Sequence, residues 1–129
     1  MVDKKVQINE IRESIINHKW EPSRHFLDFH IAGFTYYDGL DVIEELILGQ
    51  EVQLVVEPDN PHDPEAVAIY FGEKKIGYVP AAKSGMFSTL LYYGHQDIFE
   101  SRIQFVSKEN HPEHQFRVVV KIKDAREKN

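Results

Sequence analysis

The stretch EPDNPHDPEAVAIYFGEKKIGYVP, residues 57–80, constrains the fold of this chain more than any other segment. Pro58, Pro61 and Pro64 fall within seven residues. Each proline fixes its own φ and removes a backbone donor, so neither a helix nor a central strand can run through them. Asn60 and Asp63 stand among them, and such side chains bond back onto the chain and close turns. The segment is therefore a stiff loop that holds Asn60, His62 and Asp63 in a defined place. It is either a brace between two strands or a mount for those side chains.

Alternating apolar runs flank the loop. Val52, Leu54 and Val56 share one face of EVQLVVE, and AVAIYF follows the prolines. KKIGYV is its partner across Gly72-Glu73, a two-residue turn with glycine first. Upstream, Leu27, Phe29 and Ile31 alternate with Asp28 and His30, predicting a strand that ends at Gly33. Downstream, Phe99, Ile103 and Phe105, then Phe116, Val118, Val120 and Ile122, predict two more.

Three stretches carry helical spacing instead. Ile8, Ile11, Ile15 and Ile16 predict a helix over 7–19, whose apolar face must cover either the domain or a second copy. Val42, Ile43, Leu46 and Ile47 predict another, capped by Asp38 or Asp41 and closed by Gly49 in the left-handed conformation. Met86, Phe87, Leu90 and Leu91 form the inward face of a third, ended by Gly94. The expected architecture is mainly β with helices: an OB-like, partly open six-stranded barrel with two interposed helices and an extra N-terminal helix. Residues 1–24 form the accessory segment, 25–123 the domain and 124–129 a disordered tail.

Composition narrows the chemistry. The 129 residues suit one modest core, and the absence of cysteine excludes disulfides and thiolate metal sites. With neither a membrane-length apolar run nor a signal pattern, a cytoplasmic, microbial protein is expected. Ten Asp and Glu but no Lys or Arg lie between Asp38 and Glu73, whereas Arg102 to Asn129 holds seven Lys and Arg against four acids. The acidic middle opposes a long duplex-binding face, because affinity for nucleic acid grows with the phosphates neutralised. It leaves room for a small pocket that takes one strand end. Lys83, Arg102, Arg117 and Lys121 are the cations that could meet phosphate, although a solvated face explains them equally well.

The segments AGFTYYDG, LILGQEVQLVVEPDNPHDPEAVAIY and KKIGYVP together resemble the HIRAN domain, in that family's order. The resemblance covers nearly all of the chain beyond the N-terminal helix, and short bacterial members exist. It implies an OB-like barrel that holds the 3′ end of single-stranded DNA, without catalysis or cofactor, in repair and replication-fork processing. A helicase or nuclease is the implied protein partner. By the same resemblance the pocket forms from Tyr36, Tyr37, Asn60, His62, Asp63, Tyr78 and Lys83. Tyr36 stacks on nucleotides, His62 adds a planar contact, and Asp63 accepts a hydrogen bond from the terminal 3′ hydroxyl. A carboxylate welcomes a free hydroxyl and repels the phosphodiester of a continuing strand, so it reads an end.

Two positions depart from the family. Thr35 stands where the best-understood member has arginine, and Ala81 where a basic residue is frequent, with Lys83 two residues on as a substitute. The lost cations imply weaker binding.

Local chemistry keeps other readings open. Asp63 can simply cap the amides of Glu65 and Ala66. Tyr36 and Tyr37 are adjacent, so one is expected in the core and one outside. His111-Pro-Glu-His114 brings imidazoles and a carboxylate together, but proline opposes the helix that would aim them at one ion. A protein-interaction module on the same barrel is the main alternative, and a metal-dependent hydrolase using Asp59 and Asp63 a lesser one.

Overall fold

The computed structural model describes residues 4–128. Within them the predicted strands form β1 (Ser23–His30), β2 (Gln53–Val56), β3 (Val67–Phe71), β4 (Lys74–Tyr78), β5 (Phe99–Val106) and β6 (Phe116–Lys123). Helices α1 (Lys4–Asn17) and α2 (Ala81–Tyr92) stand before β1 and after β4.

The strands pair as two antiparallel sheets of three, ordered β1-β6-β5 and β2-β3-β4, rather than as one continuous barrel wall. Two isolated bridges join the sheets, Ala32 to Tyr78 at one corner and Glu51 to Arg102 at another. Gly77 makes the first bridge possible. It has φ +149°, and a Cβ there would lie 2.5 Å from Ile31 Cγ2 and 2.6 Å from the Ala32 carbonyl oxygen.

The apolar faces of both sheets meet in one core. Phe29, Ile31, Phe34, Val67, Ile69, Ile76, Phe87, Ile103, Phe116, Val118 and Val120 are buried there. Each such side chain contributes about 1.5–3 kcal/mol when fully removed from water. Period-2 alternation holds from Leu27 to Ile31 and through β2, where Val52, Leu54 and Val56 face inward as expected, although β1 carries an extra residue at Phe26 and Val119 of β6 is buried with its neighbours. β5 breaks it. The register shifts between Ile103 and Phe105, so Gln104 is an extra residue in the ladder and the pattern inverts beyond it. Phe105 is consequently exposed and Val106 packs against the core in its place.

The helical segments depart further from expectation. Residues 34–36 and 38–45 form 3-10 turns instead of an α-helix. Neither Asp38 nor Asp41 caps them, since Tyr37 holds the cap position without a side-chain bond. Val42 and Leu46 are buried as expected, but Ile47 points out. Gly49 does have positive φ, yet its amide bonds to the Ile103 carbonyl rather than closing a helix. In α2 the inward face is Ser84, Phe87, Ser88 and Leu91, while Met86 and Leu90 are exposed. Apolar residues lie on more than one side of this helix, and the docked side carries the two small serines.

α1 covers little. Its Ile8, Ile11, Ile15 and Ile16 remain exposed, and the tail contacts its C-terminal end. Arg126 donates to the carbonyls of Ile15 and Lys19 at the helix's C-terminal end and pairs with Asp124 at 2.7 Å. Asp124 also accepts from the Glu21 amide at 2.9 Å. None of the described helices is long and apolar enough to cross a membrane.

Candidate functional site

The proline loop is built from the inside by Asn60. Its side-chain oxygen accepts from the amides of His62 (2.9 Å) and Asp63 (3.1 Å), and its amino group donates to Glu57 Oε1 (3.0 Å). Asp63 Oδ1 accepts from the Glu65 amide at 2.9 Å, while the Ala66 amide bonds to the Asp63 backbone oxygen at 3.0 Å. The expected Asp63 turn therefore exists through one side-chain bond. Its Oδ2 has no hydrogen-bond partner among the described residues.

Glu57 ties the loop to the sheet. Tyr78 on β4 donates its hydroxyl to Glu57 Oε1 at 2.6 Å, and Lys75 Nζ reaches Glu57 Oε2 at 2.7 Å and the Tyr78 oxygen at 3.0 Å. The Lys75 ammonium also lies over the rings of Tyr37 and Tyr78, 5.3 and 5.0 Å from their centroids. Those rings meet edge to face at 5.3 Å. Burial disfavours charge on both Lys75 and Glu57, but their mutual bond and the Tyr78 hydroxyl outweigh it. Lys75 is accordingly held above the usual lysine range and Glu57 below the usual carboxylate range. Burial and the Glu57 carboxylate raise the Tyr78 phenol. An open groove of about 470 Å³ lies along Glu57, Pro58, Asp59, Asn60, Pro61, Lys75 and Tyr78.

Five predicted residues thus belong to one chain of contacts: Tyr37, Tyr78, Asn60, His62 and Asp63. Tyr36 adjoins this group only through its chain neighbour Tyr37, and it is 83% exposed. Neither tyrosine of the pair enters the core, contrary to the expected alternation. Their segment is a 3-10 turn, and Phe34 fills the interior position instead. Lys83 lies apart, its ammonium bonded to the Asp28 carbonyl on β1 at 2.8 Å.

Two of the other candidate cations, Arg102 and Arg117, are engaged too. Arg102 pairs with Glu100 at 2.8 Å, and Arg117 bonds Asp28 and the His30 imidazole. Around His111-Pro-Glu-His114 the groups diverge. Glu113 accepts from the Phe34 and Thr35 amides, while His114 packs on His30 with ring centroids 5.7 Å apart. Among the described residues no group of three or more His, Asp or Glu is placed to hold a metal ion.

Sequence reasoning missed Glu57, Lys75 and Glu113. Strand register would not have found the first pair, because Lys75 faces Tyr70 on β3, whose partner on β2 is Gln53 rather than Glu57. No local pattern marks Glu113, whose partners lie 78 and 79 residues away.

A family model described as the HIRAN domain matches residues 25–123. Among solved structures, a protein from Lactobacillus plantarum is similar with a TM-score of 0.66 and 16% identity, over 79% of this chain and 96% of that one. The HIRAN domain of human HLTF is similar with a TM-score of 0.59 and 17% identity, over 80% of each chain. No curated protein matches the chain.

Proposed function

The chain belongs to the HIRAN domain family, and on that premise we propose that it is a non-catalytic module that binds the end of a single DNA strand. The observation that carries this reading is the pre-ordered proline loop and groove, linked through the Tyr78–Tyr37 ring contact to the turn that exposes Tyr36. Asn60 fixes the proline loop, Glu57 locks it to Tyr78 and Lys75, and Tyr36, next to Tyr37 in the chain, is exposed. A site ordered beforehand avoids the entropy cost of arranging a flexible loop around its ligand.

A base stacked on Tyr36 contributes about 1–3 kcal/mol. Asp63 spends Oδ1 on the Glu65 amide and keeps Oδ2 for a terminal 3′ hydroxyl. Electrostatics argue for modest affinity, since Glu57 offsets the Lys75 charge and Lys83 is bound to β1. The two bridged corners support a partly open, OB-like arrangement of the sheets. On this reading the module acts in the cytoplasm of a bacterial cell, at 3′ ends met in repair or fork processing, beside a helicase or nuclease.

A second reading, a peptide-binding module, is favoured by a separate apolar groove. It measures about 530 Å³ between Ile43, Leu46, Ile47, Leu48, Val106 and Phe116, with Ile47 62% and Leu48 66% exposed.

Labelled single strands ending in a 3′ hydroxyl or a 3′ phosphate, and a blunt duplex, test the proposal by fluorescence anisotropy at two salt concentrations. The hydroxyl-ended strand should bind best and weaken as salt is added. Asp63→Ala should erase the preference for the hydroxyl, and Tyr36→Ala should weaken both single strands without lowering stability. Equal binding of all three wild-type ligands would remove the end-reading role.

A further inference from the structure

The turn that carries the paired tyrosines is held from two sides by one segment far away in sequence. Beneath it, Phe34 is fully buried with its ring centroid 5.1 Å from that of Phe116. Above it, the Glu113 carboxylate accepts from the Thr35 amide at 2.7 Å, from the Phe34 amide at 3.2 Å and from the Thr35 hydroxyl. Both grips come from the connection between β5 and β6 and the first residue of β6.

Glu113 is itself fixed. Pro112 opens a short 3-10 turn in which the Glu113 amide donates to His111 Nδ1 at 3.2 Å and the His114 amide to the His111 carbonyl at 2.8 Å. The carboxylate is half-buried, and its bonds to Thr35 and Phe34 outweigh the burial that would protonate it, so its pKa lies below the ordinary range. It stays ionised at neutral pH. The turn is closed by the Tyr36 amide on the Gly33 carbonyl at 2.9 Å, with Gly33 at φ +70° against the Tyr37 ring.

We infer that Glu113 is a positioning residue for the candidate site, acting through Phe34 and Thr35 to hold Tyr36 and Tyr37 in the geometry that a stacked base requires. The inference rests on the reading that bases stack on Tyr36. Tyr36 needs this external hold because it is 83% exposed and so has little packing to fix it. Residues 34–36 form a single 3-10 turn, too short to order itself. The role also carries a sign that separates it from electrostatics. A carboxylate near the ligand repels phosphate, so charge alone predicts tighter binding when it is removed. Positioning predicts weaker binding.

The test compares wild type, Glu113→Ala and Glu113→Gln in the full chain. Amide hydrogen exchange by NMR reads the latch directly. The Phe34 and Thr35 amides should be protected in wild type and exchange rapidly in Glu113→Ala, with Glu113→Gln between them because it keeps one acceptor oxygen. Anisotropy with a hydroxyl-ended single strand reads the consequence: Glu113→Ala should bind about 2- to 12-fold more weakly, and Glu113→Gln should recover part of the loss. If Glu113→Ala does not fold, the glutamine variant supplies both readouts. Unchanged protection, or binding as tight as wild type or tighter, overturns the inference. Failure of wild type to bind any oligonucleotide, with protection still dependent on Glu113, removes the DNA reading and leaves the hold on the tyrosine turn standing.

Discussion

Replacing Lys75 by methionine probes the contact on which the proposed groove depends. The Lys75 and Glu57 side chains are 24% and 22% exposed and meet at 2.7 Å. An exposed ion pair contributes about 0.2–1 kcal/mol, whereas breaking a fully buried one costs about 3–5 kcal/mol. This pair lies between. Lys75→Met leaves a partly desolvated carboxylate that retains only the Tyr78 and Asn60 donors, a loss of about 2 kcal/mol. For a chain of this size that lowers Tm by about 6–10 °C.

The pH dependence has a definite sign. The folded-state pKa of Glu57 is depressed, so its stabilisation is present above the unfolded carboxylate value of 4.5 and lost as pH falls through the folded one. Lys75 is raised, so its share is present below 10.5 and lost as pH climbs through its folded value. Urea unfolding of wild type, Lys75→Met, Glu57→Gln and the double variant, at neutral pH and at pH about 3, completes a double-mutant cycle. A coupling of about 1–2 kcal/mol is expected at neutral pH, shrinking in acid. Strict additivity, or a cost below about 0.5 kcal/mol for Lys75→Met, would refute the reasoning. The same cycle bears on binding. Glu57→Gln keeps an oxygen for Tyr78 and Asn60 but unmasks the Lys75 charge, so oligonucleotide binding should tighten and its salt dependence steepen by about 0.7 in slope.

Two further outcomes follow from the geometry. Gly77→Ala should cost about 2–4 kcal/mol by chemical denaturation, because the added Cβ meets Ile31 and the Ala32 carbonyl where the two sheets are bridged. Asn60→Ala should leave the core intact but cost about 1–2 kcal/mol, speed exchange of the His62 and Asp63 amides, and weaken strand-end binding through a loosened loop.

The strands and the loop were legible because their signals are local. A strand exposes alternate residues to opposite faces whatever it pairs with, and proline limits its own φ in any fold. Hence Val52, Leu54 and Val56 were assigned their inner face, and Asn60 and Asp63 their turns, from the residues alone. Local signals also misled. The apolar spacing around Val42 and Met86 suits several helix faces, and nothing in either segment states which one the sheet will meet. The Phe105 assignment failed because one extra residue in a ladder reverses every later side chain, and a bulge is defined by the partner strand.

The sequence by itself determined the strand periodicity, the stiffness of the 57–65 loop and the hairpin at Gly72-Glu73, since each rests on steric limits within a few consecutive residues, and its motifs carried the resemblance to the family. Tertiary structure alone decided that six strands divide into two bridged sheets, that Lys75 spends its charge on Glu57, and that Glu113 reaches across 78 residues to hold the Thr35 amide. Those contacts depend on which strands pair and in what register, a choice made by the whole core when it closes.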